Sequence, residues 1–190
     1  MSLTEKKSEG LDVAEPVVEP VVEPEVEIGQ FLDIPLTEKA AEVTERFLPF
    51  ITESAEVNDV PADIIRKIIF VESSGRPDAF VRGSGAIGLM QITEIAAKDL
   101  GIPYDRKQLS DPKYNIEQGT RFLKMQYERM IFAYPNLSEE ELWRKTATAF
   151  HSGFKNVQED TLGPRGQAYA PKVFDMSKKF TGEPEVVDLF

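Results

Sequence analysis

Residues 64 to 72 read IIRKIIFVE. Ile64, Ile65, Ile68 and Ile69 recur at the three- and four-residue offsets that put side chains on one face of an α-helix. Strand alternation would scatter them over both faces. A stripe this apolar must be buried against other elements, so it dictates a helical core around itself. The flanks supply the ends. Asn58 or Asp59 is expected to cap the helix, with Pro61 in the first turn, Asp63 favourable to the helix dipole and Gly75 as the stop. Arg66 and Lys67 are expected on its solvated face.

Glu72 breaks the logic of that stripe. It lies three, four, seven and eight residues after Ile69, Ile68, Ile65 and Ile64, so it continues the buried face. It also falls in the last turn, where the backbone dipole disfavours an anion. Burial and dipole act in the same direction and favour a carboxyl group that keeps its proton. Such a group is costly to the fold and suits a general acid, which gives its proton to a leaving oxygen. The pattern equally allows a glutamate that snorkels from a frayed helix end or bonds the loop backbone.

The remaining pattern is also helical. Residues 37–56 are helix-rich with a break near Pro49, and 93–100 form a short helix ended by Gly101. Asp111-Pro112 opens a long helix with Ile116, Leu123, Tyr127 and Met130 at helical spacing. Ser138-Glu139-Glu140-Glu141 is a capping box before Leu142, Trp143, Ala147 and Phe150. A last helix is expected over roughly 168–180, with Tyr169, Val173, Met176 and Phe180 on one face. The class is therefore mostly α, with a short β-hairpin or irregular loop expected only at 76–92.

Residues 15–26 read EPVVEPVVEPEV. A proline in each unit blocks helix and central strand, and the glutamates repel one another. The expected organisation is a disordered acidic tail or linker over 1–30, a helical domain over 31–182 and a C-terminal tail over 183–190. The formal charge is −11, and the first thirty residues carry −6 of it, from eight acids and two lysines. That balance argues against nucleic acid, which calls for basic patches. No apolar run reaches the length of a membrane span. The N-terminus lacks the basic-then-apolar layout of a signal peptide, so export by that route is not expected unless a signal has been trimmed. With no cysteine and the single histidine His151, no metal site is expected.

The residues after Glu72 carry a resemblance. Glu72-Ser73, Pro77 and Gly85-Ala86-Ile87-Gly88-Leu89-Met90-Gln91-Ile92 resemble the catalytic signature of the soluble lytic transglycosylase family, related to goose-type lysozyme. Further matches follow in order: Asp111-Pro112, Asn115, Gly119, Phe122 and Leu123; then Ala149-Phe150-His151-Ser152-Gly153; then Tyr169 with Lys172-Val173. The resemblance implies a lysozyme-like fold acting on peptidoglycan glycan strands at the cell wall, in the periplasm, outside the cell or delivered by a phage. It implies Glu72 as general acid and then base, assisted by the substrate's N-acetyl group and giving a 1,6-anhydro product. It implies Ser84, Met90, Gln91, Phe150, His151 and Tyr169 as substrate-binding residues, with no cofactor and a monomeric protein.

Residue chemistry leaves some of these roles open. Met90 suits a sugar face or the core about equally, and Gln91 suits acetamido groups or a buried bond to backbone. Asp78 is a nearby acid able to orient a water but reads better as a solvated loop acid. Three positions depart from the family. Phe150-His151 stands where the family has Tyr-Asn, which removes a hydroxyl and introduces a group that is charged in mild acid. Ser84 directly precedes Gly85, whereas the family serine lies a few residues earlier. A goose-type muramidase using water, or a non-catalytic cell-wall-binding or virion module, are the alternatives on the same fold, with chitin as the other substrate.

Overall fold

The computed structural model describes residues 37–175. The expected tails, and Met176 and Phe180 of the expected last helix, lie outside them. Ten helices and one small sheet follow in order among the described residues: α1 (Glu38–Glu45), α2 (Leu48–Asn58), α3 (Ala62–Ser73), β1 (Phe80–Val81), β2 (Ala86–Ile87), α4 (Glu94–Leu100), α5 (Arg106–Leu109), α6 (Pro112–Ala133), α7 (Glu139–Ser152), α8 (Phe154–Gln158), α9 (Pro164–Gln167) and α10 (Tyr169–Phe174). The mostly α class is observed, and the hairpin falls inside 76–92. Its strands pair antiparallel, Phe80 with Ile87 and Val81 with Ala86.

The isoleucine stripe organises the core. Ile64, Ile65, Ile68 and Ile69 are all buried, and they meet Phe47 and Ile51, Ile116 and Leu123 of α6, Trp143 and Ala147 of α7, and Val173 and Phe174 of α10. Full burial of such a side chain contributes about 1.5–3 kcal/mol. Tyr127 of α6 stacks on Trp143 of α7, with centroids 4.1 Å apart. A second cluster, with Ile87, Ile92, Ala97, Leu109 and Phe122, seats the hairpin and α4 on α6.

Local signals set most of the ends. Asp111 accepts from the Tyr114 amide at 2.9 Å to cap α6, with Pro112 in the first turn. Ser138 and Glu141 form the reciprocal capping box of α7. Gly101 ends α4 in the left-handed region. Pro49 sits in the first turn of α2, where its missing N–H costs nothing, and the chain breaks just before it.

Four expectations need correction. Neither Asn58 nor Asp59 caps α3. The Asn58 amide turns back to the Ser54 carbonyl at 2.8 Å, Asp59 ends α2 in the left-handed region, and Pro61 is the N-cap with no side-chain bond. Lys67 is not solvated but buried, because α1, α2 and α10 enclose α3 and leave it almost no free face. Burial lowers the pKa of its ammonium, and Asp63 pulls it the other way. The final helix is shorter within the described residues, with Asp175 already outside α10. The single-turn helices α5, α8 and α9 were not expected, since pieces of four or five residues are too short to show a period.

Candidate active site

Glu72 occupies the last turn of α3, and the chain leaves that helix through Ser74 in the left-handed region. Its side chain is 13% exposed, so it neither snorkels free nor lies sealed in the core. Two groups converge on one of its oxygens. The Tyr169 hydroxyl donates to Glu72 Oε1 at 2.6 Å, and His151 Nδ1 lies 3.6 Å from the same atom. The imidazole also stacks on the Tyr169 ring, 4.4 Å between centroids and 13° from parallel. Glu72, His151 and Tyr169 thus come from α3, α7 and α10, elements far apart in sequence that meet at the end of the isoleucine stripe.

The tyrosine is a committed donor. Burial, followed by the charge of Glu72 and the hydrogen bond to it, raises the Tyr169 pKa well above that of a free phenol. It therefore stays neutral at any physiological pH and holds its proton toward the carboxyl group. Phe150, next to His151, is half-buried and meets Phe122 edge-on at 5.5 Å. Its ring bridges the two core clusters, an apolar setting that does not need the absent hydroxyl.

The other side of Glu72 is framed by the hairpin and the turn after it. Ser73 is buried and donates to the Ile69 carbonyl at 3.1 Å and the Leu89 carbonyl at 2.8 Å, which pins the turn to the end of α3. Asn115 is wholly buried and makes three bonds. Its Oδ1 accepts from the Met90 amide at 2.7 Å, and its Nδ2 donates to the carbonyls of Ile87 and Leu109 at 3.0 and 2.7 Å. Gly88 has φ +82°, and a Cβ there would run into that asparagine amide and the Leu109 carbonyl.

Within this frame the expected binding residues divide. Met90 is fully buried against Gly119, where a Cβ would strike its thioether. The core role is the one it takes, and its side chain has no surface to offer a sugar. Gln91 is held in the left-handed region at φ +49°, with its amide nitrogen donating to the carbonyls of Gly88 at 2.9 Å and Ala79 at 3.3 Å. The backbone alternative accounts for that nitrogen. Ser84 is exposed in the hairpin turn and accepts from the Ala86 amide at 3.3 Å, with no described bond to Glu72. Asp78 is exposed.

Sequence reasoning placed Asn115 only as a match to a pattern and missed its structural part. The signal available was a polar residue on the apolar side of α6, one residue before Ile116. Among the described residues no three His, Asp or Glu side chains gather as a metal site requires. None of their helices is long and apolar enough to cross a membrane.

Comparison with known proteins gives a family for the fold. A family model described as a transglycosylase SLT domain matches residues 49–171, a span that runs from α2 to α10 and contains Glu72, His151 and Tyr169. A membrane-bound lytic murein transglycosylase C of Yersinia enterocolitica is 39% identical over 131 residues, covering 65% of this chain and 36% of the relative. The protein of the same name from Serratia proteamaculans is 32% identical over 120 residues, covering 59% and 32%. That of Edwardsiella ictaluri is 30% identical over 131 residues, covering 65% and 35%. The chain thus spans about a third of the length of the curated relatives it matches.

Proposed function

The chain belongs to the transglycosylase SLT family, and from that premise we propose that it is an enzyme that cleaves the glycan strands of peptidoglycan at the cell wall, with Glu72 as general acid and then base. The relatives' names, which specify lytic action on murein, support the substrate. The observation that carries the reading is the convergence on Glu72 of one committed hydroxyl donor and one imidazole, both at Oε1. With that oxygen occupied, Oε2 is the one that carries the proton toward a glycosidic oxygen.

The steps follow from this arrangement. Glu72 donates its proton to the oxygen linking N-acetylmuramic acid C1 to the next N-acetylglucosamine. The C1–O bond breaks and the sugar leaves as an alcohol. Positive charge grows at C1, where the muramic acetamido oxygen assists in place of a second carboxylate, the substrate-assisted departure from the usual two-carboxylate scheme. The Glu72 carboxylate, held by Tyr169, then takes the proton of the muramic 6-hydroxyl as that oxygen bonds to C1. The product is a 1,6-anhydro end, and Glu72 regains its proton. Gln91 Oε1, whose nitrogen is already spent, is the acceptor suited to an acetamido N–H. The exposed imidazole edge of His151 and the Ser84 hydroxyl complete the sugar contacts, and Phe150 and Met90 support the groove from beneath.

The test is digestion of purified peptidoglycan by wild type and Glu72→Gln, with fragment ends identified by mass spectrometry. Anhydro ends that vanish in the variant are expected. Reducing muramic ends would mean that water attacks C1 instead, and unaltered cleavage by the variant would remove Glu72 from the chemistry.

A further inference from the structure

His151 belongs to two neighbourhoods. One edge of its ring faces Glu72, and the residue also borders an open concavity of about 540 Å³ lined in addition by residues 161–166. The rim of this concavity is built by its own side chains. The Asn156 amide donates to the Ser152 carbonyl at 2.6 Å, and the Thr161 hydroxyl donates to Asn156 Oδ1 at 3.2 Å. The Gln167 amide donates to the Leu162 carbonyl at 3.1 Å. These groups fix the shape and are largely spent in doing so.

Arg165 is the exception. It lines the concavity, is exposed, and makes no ion pair or hydrogen bond among the described residues. Some other cations in the fold are paired with acids, as Lys113 is with Glu53, Lys124 with Asp59 and Arg144 with Asp175. The nearest acids in sequence do not neutralise it. Glu159 pairs with Lys155 at 3.8 Å, and neither Glu159 nor Asp160 lines the concavity. The chain as a whole carries −11, a field that repels anionic polymers. An unpaired guanidinium in a concavity bordering the acid's own histidine is where such a polymer meets an opposite charge, and its planar fork matches a carboxylate.

We propose that this concavity is a subsite for a carboxylate-bearing glycan and that Arg165 reads the carboxylate, so that the protein prefers acidic strands to neutral polymers of N-acetylglucosamine. The inference rests on the reading of Glu72 as the glycosidic acid, which makes a neighbouring concavity a place for the adjoining sugar. The carboxylate has two sources on a muramic strand, the free lactyl group or a peptide attached to it, and the chemistry recognised is the same.

The experiment uses the full chain carrying Glu72→Gln, which binds without turnover. Its affinity is measured by calorimetry for three soluble oligosaccharides of equal length: muramic strands with peptides, muramic strands stripped of peptide, and chitin oligomers. The carboxylate-bearing strands are expected to bind about tenfold more tightly than chitin, the scale of one charge-assisted hydrogen bond. Adding Arg165→Gln removes that preference, while Arg165→Lys keeps part of it, and thermal melts confirm that both fold. Whichever muramic strand loses more affinity on Arg165→Gln identifies the source. The inference is overturned if chitin binds as tightly as the acidic strands, if Arg165→Gln leaves the ratio unchanged, or if no oligosaccharide binds. Failure of the glycosidase reading shows separately, as intact peptidoglycan after digestion by wild type.

Discussion

The two regions that flank Glu72 are built on opposite principles. On the hairpin side, polar groups are turned inward and spent on backbone: Ser73 on Leu89, Gln91 on Gly88 and Ala79, and Asn115 on Ile87, Leu109 and Met90. On the side of α7 and α10 they are turned to the acid, with the Tyr169 hydroxyl on its oxygen and the His151 ring stacked behind that tyrosine. The first region is a frame, and the second is where the proposed chemistry falls. A substitution at Ser73 or Asn115 should act on stability and leave the rate of each folded molecule nearly alone. A substitution on the other side should do the reverse.

The largest expected effect lies at the point where the regions meet. Glu72→Gln is nearly isosteric and still accepts from Tyr169, but it has no proton to give. The rate of peptidoglycan cleavage should fall by about a thousandfold, within the span attributed to a general acid, with the melting temperature little changed. Next comes the frame itself. Asn115→Ala strands a buried amide and two buried carbonyls at once, at a cost of about 3 kcal/mol. Chemical denaturation should show that loss, while turnover per folded molecule stays within about a factor of two, since no group that touches the reacting atoms has changed. A large fall in turnover with stability intact would erase the division between the two regions.

How much of this was legible in the sequence follows the same division by distance along the chain. The stripe of α3, the caps of α6 and α7 and the stop at Gly101 are local, and each was readable because its residues lie within a turn or two of one another. Glu72 was readable because the stripe that carries it is. Lys67 was not, because its burial depends on three other helices closing round α3. Met90 suits two roles by its own chemistry, and only its packing against Gly119 of α6 decides between them. The stack of His151 on Tyr169 joins positions separated by two short helices that have no period of their own. Composition and spacing record none of these long-range meetings, although the order of the motifs hinted that they converge.

On the chemical side Tyr169→Phe comes next in size. The ring and its stack on His151 remain, and only the donor to Glu72 Oε1 is lost. Cleavage should slow by about tenfold, the value of one hydrogen bond to a charged group, with a change in kcat rather than KM. A stability signature accompanies it. Because the folded-state pKa of Tyr169 is raised, its contribution is fully present below the pKa of a free phenol, near 10, and is lost as pH rises from there toward the folded value. Phenylalanine cannot ionise, so the variant should lack that part of the alkaline decline seen in melts of wild type.

The smallest effect sharpens the comparison most. His151→Asn restores the residue type that the family pattern carries at this position and keeps a hydrogen-bonding group near Glu72. The imidazole meets Glu72 on α3 and Tyr169 on α10. Asparagine cannot stack on the Tyr169 ring, and an aromatic pair of this kind is worth about 0.5–1.5 kcal/mol. The variant should lose about that much stability in chemical denaturation and should cleave about threefold more slowly, since the imidazole nitrogen 3.6 Å from Glu72 Oε1 is replaced by a shorter side chain. A loss of stability with the rate unchanged would show that the ring serves only as a platform for Tyr169, and would move His151 from the chemical side of the site to the frame.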